Sequence, residues 1–172
     1  MPLLKILIFP DPRLRTVAKA VEKVDDSLKK LTEDMLETMY EGSGIGLAAT
    51  QVDVHKRVIV VDISEKKDEP LVLINPVLNK VIDPELKTYS EGCLSVPGFY
   101  EELERPSEIE ISFQDVNGQD HTLIANGLLS VVVQHEMDHL EGKMMVDSIS
   151  NVKREMIRNC LLYTSPSPRD DI

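Results

Sequence analysis

No segment constrains this chain more than Gln134-His135-Glu136-Met137-Asp138-His139. It lies in a run, about 126–140, whose apolar residues recur at helical spacing and which stops at Gly142. Two histidines four residues apart on a helix share one face, a turn apart, so both rings can reach a single metal ion. Glu136 stands beside them, where it can take a proton from a metal-bound water. At about 100° per residue, Leu128, Val131, Val132, His135 and His139 fall in one stripe. Such a stripe is ordinary core packing on most helices. Leading into a metal pair, it also reads as the wall of a pocket for an unbranched apolar side chain.

A catalytic site of this kind takes three protein ligands and keeps one position open. One extended pattern, His-Glu-x-x-His-x-x-Gly-x-x-His, has its glycine here at Gly142, but Met145 stands where the third histidine belongs. A thioether is a poor ligand for a hard dication. Glu155, on a separate predicted helix downstream, stays open as a carboxylate ligand. Cys93, in Glu91-Gly92-Cys93-Leu94-Ser95 ahead of Pro97, is the better candidate, because a thiolate binds tightly and lowers the net charge of the site. The other reading is a buried structural cysteine, and spacing alone leaves both open. Arg105 reads either as a partner of Glu91 that steadies the cysteine segment or as an ordinary surface arginine.

Gly44-Ile45-Gly46-Leu47-Ala48-Ala49 matches G-x-G-x-x-A, with Asp62 downstream as a ribose-binding acid would be. A dinucleotide loop follows a strand and opens a helix. Here a helix over about 27–41, stopped by Gly42-Ser43-Gly44, precedes the loop, and Thr50-Gln51-Val52 follows with strand character. The context is inverted, which argues against a nicotinamide cofactor. The small residues instead suit a backbone that approaches something closely, with Gln51 adding an amide donor.

The rest of the chain reads as an α+β fold: antiparallel strands packed around the central metal-binding helix, with an N-terminal helix and a C-terminal one. Strands are expected at 57–62, 71–74, 77–82, 109–113 and 121–124, with Asn117-Gly118 as the turn of the last hairpin. A last helix capped by Ser150 runs to about Arg158. At 172 residues the chain suits one domain or two. Thirty acidic residues against 19 basic ones give a net charge of −11, which repels phosphate backbones and argues against general nucleic-acid binding. No apolar run approaches the roughly 20 residues of a membrane span, and no secretory leader is legible, so a cytoplasmic protein is expected. Two cysteines, Cys93 and Cys160, make no disulfide framework.

Three motifs stand in order: Gly44 to Gln51, Glu91-Gly92-Cys93-Leu94-Ser95, and Gln134 to Leu140. Together they resemble the bacterial peptide deformylases, a likeness that runs from the N-terminal segment to about Asn159. That family removes the formyl group from formyl-methionyl nascent polypeptides and releases formate, acting as a metallohydrolase on a linear amide. The resemblance implies Cys93, His135 and His139 as metal ligands and Glu136 as general acid/base. It implies the Gln51 side chain and the Leu94 backbone N–H as oxyanion donors. Ile45, Gly46, Leu128, Val131 and Val132 would bind the methionine and its backbone. The implied cofactor is one divalent ion, Fe²⁺ in the cell, with Zn²⁺, Ni²⁺ or Co²⁺ able to substitute.

The competing enzyme is a zinc-dependent endopeptidase of the His-Glu-x-x-His type, which needs a third ligand other than Cys93. A closed structural zinc module would need a fourth ligand and would leave Glu136 without a role. Residues 160–170 break the helical pattern of 152–158 without a cap, and their two Ser-Pro steps favour extended or turn backbone. They read as a translated sequencing adaptor. The expected division is a catalytic domain at 1–159 and a non-native tail at 160–172 that packs loosely. A C-terminal helix truncated in this way, with only Lys153, Arg154 and Arg158 for positive charge, implies a weakened affinity for the ribosome.

Overall fold

The computed structural model describes residues 3–163. Helix α1 spans Asp26–Glu41, its first turn capped by Asp25, whose carboxylate accepts the Leu28 N–H at 2.9 Å. The helix thus starts within a residue of the expected start at about 27. Leu28, Met35 and Met39 face inward and meet Leu47, Val58, Val60 and Ile74 of the sheet.

Five antiparallel strands form one sheet in chain order: β1 (Gly46–Ala48), β2 (Val58–Val61), β3 (Leu71–Cys93), β4 (Val96–Gln114) and β5 (Asp120–Asn126). After β1 the chain does not continue as strand. Thr50, Gln51 and Val52 form a 3₁₀ turn, Ala49–Val52, because the Gln51 side-chain oxygen accepts the Ala48 N–H at 2.9 Å and draws the backbone round. The strand character expected of Thr50-Gln51-Val52 is corrected accordingly.

Residues 71–74, 77–82 and 109–113 are pieces of two much longer strands. β3 pairs with β4 from Ile74 onward and turns over at Leu94-Ser95, with Cys93 opposite Val96. Register shifts between Ile74/Val77 and Asp83/Leu86 absorb Pro76 and Pro84. β2 covers β3 only over 71–74, so from Val77 onward one edge of β3 pairs with no other strand among the described residues. Prolines are tolerated on such an edge, and the mostly exposed side chains there show no alternation to read. The Asn117-Gly118 turn is as expected, with the Asp115 carboxylate accepting the N–H groups of Asn117 and Gln119.

Helix α2, Gly127–Leu140, runs against this sheet. Val132, Val133 and Leu140 pack on Ile59, Val61, Leu73, Ile109 and Ile111. This is the α+β arrangement around a central helix that the sequence implies. The N-terminal segment (Leu7, Phe9, Leu14) builds a second core with Val96, Leu103, Met144, Met145, Val146 and Ile157.

Helix α3, Asn151–Tyr163, extends past the expected end near Arg158. Leu161, one turn beyond Ile157 on the same face, is buried with it, so loose packing does not hold for that residue. Residues 164–172, on which the rest of that expectation falls, lie outside the described residues. Among the described residues no helix is long and apolar enough to cross a membrane.

Candidate metal centre

The β3–β4 turn carries Cys93 to the buried face of α2. Two hydrogen bonds fix the turn: the Phe9 N–H donates to the Ser95 carbonyl at 2.8 Å, and Gln51 Nε2 donates to Ser95 Oγ at 3.0 Å. Cys93 Sγ then lies 3.4 Å from His139 Nε2. One ligand atom each from Cys93, His135 and His139 lies within 4.8 Å of the other two. Among the described residues no other group of histidine, cysteine and acidic side chains is gathered in this way. Met145 is core. Glu155 is exposed on α3, and neither it nor Cys160 joins the group. A closed four-ligand site therefore does not form from these residues.

A hydrogen bond selects the nitrogen that the His135 ring offers. His135 Nδ1 lies 3.0 Å from Glu91 Oε1, which leaves Nε2 free. Glu91 is gripped in turn by Arg105, whose Nε and Nη2 donate to its two oxygens at 2.5 and 3.0 Å. Arg105 Nη1 also reaches Asp138 on α2 at 3.0 Å. The Arg105–Glu91 pair is thus real and buried, and Asp138 is a member that the sequence did not reveal. Burial alone would push the Glu91 carboxyl up. The hydrogen bonds of His135 and Arg105 and the Arg105 charge outweigh it and hold the carboxyl below its usual value.

His139 is fully buried and its Nδ1 has no partner. Burial, reinforced by His135, holds its pKa well below the usual value and keeps the imidazole neutral, the form that binds metal. Burial likewise disfavours charge on His135, yet the charge of Glu136, then Cys93 and Glu91, pushes its pKa well up. The surroundings therefore favour positive charge at this point. A thiolate, two imidazoles and a negative local potential fit a divalent transition-metal ion. Glu136 is buried with Oε1 unpartnered, and burial pushes its carboxyl up to about 7. A carboxyl so placed can hold or release a proton near neutral pH.

A cavity of about 410 Å³ opens onto this cluster. Ile45, Gly46, Leu128, Val131 and Val132 line it, together with Cys93, Leu94, His135 and Glu136. The α2 stripe is thus both core and wall: Val131 and Val132 are buried, whereas Leu128 is 45% exposed at the mouth. Gln51 and His139 are not part of the lining and approach the cluster from within the protein. Gln51 Oε1 is engaged by Ala48, so its amide nitrogen points to Ser95 Oγ and to Cys93 Sγ, 3.5 Å away.

β1 ends the sheet, so among the described residues its edge away from β2 pairs with no other strand. A Cβ on Gly46 would come 2.6 Å from Glu136 Oε2 and 2.8 Å from Val132 Cγ1, so glycine is what lets β1 lie against α2. Phe99 and Tyr100 complete the rim, with the Tyr100 ring over Gly92; nothing in the sequence pattern marks them. The dinucleotide reading fails on this geometry. α1 precedes the glycine loop and β1 follows it, and Asp62 is engaged by Tyr40 Oη at 2.6 Å and by Ser64.

A family profile described as Polypeptide deformylase matches residues 3–155. The peptide deformylase of Cellvibrio japonicus is 60% identical over 161 residues, which cover 94% of this chain and 95% of that one. The peptide deformylase of Hahella chejuensis is 58% identical with the same coverage. Among solved structures, peptide deformylase from Ehrlichia chaffeensis in complex with actinonin matches with a TM-score of 0.92 at 38% identity, covering 97% of this chain and 100% of that one. A peptide deformylase from Legionella pneumophila gives 0.87 at 42% identity, covering 92% of each chain.

Proposed function

The chain belongs to the polypeptide deformylase family, and we propose that it removes the formyl group from formyl-methionyl nascent polypeptides, releasing formate, at the centre formed by Cys93, His135 and His139. The observation that carries this reading is the convergence of those three donors with Glu136 at the base of a cleft whose wall is apolar. One divalent ion, Fe²⁺ in the cell and replaceable by Zn²⁺, Ni²⁺ or Co²⁺, supplies Lewis acidity that brings the ionisation of a water molecule near neutral pH.

The chain's own groups do the rest. The wall of Ile45, Leu128, Val131 and Val132 receives the methionine side chain, which is long, unbranched and apolar. The free edge of β1 at Gly46 pairs with the extended peptide as an added strand. The formyl carbon carries only hydrogen beyond its carbonyl, so it enters a site too tight for a longer acyl group. Gln51 Nε2 and the Leu94 N–H meet the carbonyl oxygen as it gains charge, an effect worth about 10²- to 10³-fold for each donor. Glu136 accepts a proton at its carboxylate and returns it to the departing amine, a task suited to a carboxyl titrating near neutrality.

The catalytic residues all lie within 1–159, and the reading places the protein in the cytoplasm, where nascent chains are made. Ribosome docking through α3 is expected to be weak. Of the three basic side chains of α3, Lys153 is engaged by Glu101 at 3.1 Å, and the protein as a whole is strongly acidic.

Treatment with a thiol-alkylating reagent separates this reading from the endopeptidase. Modification of Cys93 is expected to release the metal and stop loss of the formyl group from a formyl-methionyl peptide, and parent protein is expected to leave every peptide bond of that substrate intact. Metal retained after complete alkylation, or internal cleavage by the parent, would favour the endopeptidase.

A further inference from the structure

Gly42 and Gly44 close on the side chain of Leu94. A Cβ on Gly44 would lie 2.7 Å from Leu94 Cδ1 and 3.2 Å from Cγ, and one on Gly42 would lie 3.0 Å from Cδ2. Neither glycine has left-handed backbone, so it is the leucine and not the local conformation that requires them to lack a side chain. The loop they belong to is itself fixed. The Gly42 N–H donates to the Thr38 carbonyl at 3.1 Å and the Gly44 N–H to the Met39 carbonyl at 2.9 Å, extending the end of α1. The same loop runs on into Ile45 and Gly46, one wall of the cleft.

Leu94 also lines the cleft, as the first residue of the two-residue β3–β4 turn. Hydrogen bonds hold the turn at Ser95, and the Cys93 side chain is held by Gln51 and His139. Leu94, between them, is held through its side chain, seated on the two glycines. A backbone N–H on a tight turn points wherever the turn is held, and a displaced oxyanion donor loses much of its effect.

We infer that Gly42 and Gly44 are positioning residues for the reaction: they form a seat for the Leu94 side chain that fixes the direction of the Leu94 backbone N–H across the cleft. This rests on the reading of that N–H as an oxyanion donor. The glycine-rich stretch therefore has two tasks. Gly46 admits α2, and Gly42 and Gly44 admit Leu94.

The test is a double-mutant cycle on metal-loaded protein of verified metal content, assayed with formyl-Met-Ala-Ser. Gly44→Ala forces the Leu94 δ-methyl aside, and Leu94→Ala empties the seat. Each is expected to lower kcat by roughly 10-fold with KM within about 2-fold of the parent. In the double variant the three Leu94 atoms that the new methyl would meet are gone, and the methyl at 44 takes up part of the emptied seat. The seat is rebuilt in part, and kcat is expected to recover to within about 3-fold of the parent. Gly42→Ala, a milder intrusion, is expected to cost kcat about 3-fold and keeps the test available if Gly44→Ala folds poorly.

Two results would overturn the inference, and they differ. If the two losses in kcat multiply with no recovery, the seat does not act on the N–H, while the donor reading itself stands. If thermal unfolding shows positions 44 and 94 coupled but kcat stays at the parent value in every variant, the packing is right and the Leu94 N–H is not a donor.

Discussion

Removing the Arg105 side chain is expected to be among the most damaging single changes outside the metal ligands. Glu91 and Arg105 are nearly enclosed, with side chains 4% and 12% exposed. Arg105→Ala leaves the Glu91 carboxylate with His135 Nδ1 alone as partner. Truncating one member of a buried ion pair costs about 3–5 kcal/mol, because the other charge stays desolvated. For a chain of this size each kcal/mol lowers Tm by about 2–4 °C, so the melting point should fall by roughly 6–20 °C. The Arg105–Asp138 contact is different. The Asp138 side chain is 40% exposed, so Asp138→Asn should cost no more than about 1 kcal/mol. Glu91 also orients His135, so metal affinity in Arg105→Ala should weaken by about 10- to 100-fold. Calorimetric melting of both variants, with metal titration of each, checks the two effects. An Arg105→Ala protein that melts within about 2 °C of the parent would refute the reasoning, since Glu91 would then have no need of its partner.

Three further outcomes are expected. Glu136→Gln should keep its metal, since Glu136 is no ligand, and lose at least about 10²-fold in turnover on a formyl-methionyl peptide; near-normal turnover would rule out its proton-transfer role. Although burial pushes the Asp62 carboxyl up, hydrogen bonds from Ser64, Tyr40 and the Glu69 N–H hold it below its usual value. Its contribution to stability is therefore complete above the unfolded value of about 3.9 and is lost as pH falls through the lower folded value. Asp62→Asn should destabilise the protein by about 1.5–3 kcal/mol near neutral pH, and urea titrations should show the gap from the parent narrowing as pH falls below the unfolded value. Ending the chain at Asn159 should leave peptide deformylation intact, yet lower Tm by several degrees, because burial of the Leu161 side chain, worth about 1.5–3 kcal/mol, is lost; an unchanged Tm would mean that Leu161 contributes nothing.

The histidine helix was legible because its information is local. The 3.6-residue period that gathers Val131, Val132, His135 and His139 needs nothing but the helix itself. The third ligand was not legible in that sense. Cys93 reaches His139 only because β3 and β4 pair over some twenty residues and turn over at Leu94-Ser95, and no local pattern encodes that register. Pro76, Pro84 and Pro106 interrupt the local strand pattern, whereas an open edge and bulges accommodate them. Arg105 and Glu91 were visible as residues, but only the folded hairpin shows both beside Asp138 and His135. The three ordered motifs carried the family likeness where spacing alone left Cys93 undecided.

The central claim is that one divalent ion held by Cys93, His135 and His139 supports loss of the formyl group. Its most direct test is formate release from a formyl-methionyl peptide, followed on one sample while the metal is removed with a chelator and then restored. One metal ion per chain is expected, with formate released in step with free amine, loss of both on chelation, and recovery on adding Fe²⁺ or Co²⁺ without oxygen. Formate release that persists in protein shown to be free of metal would contradict it, as would a Cys93→Ser protein that still holds one chelator-resistant ion per chain.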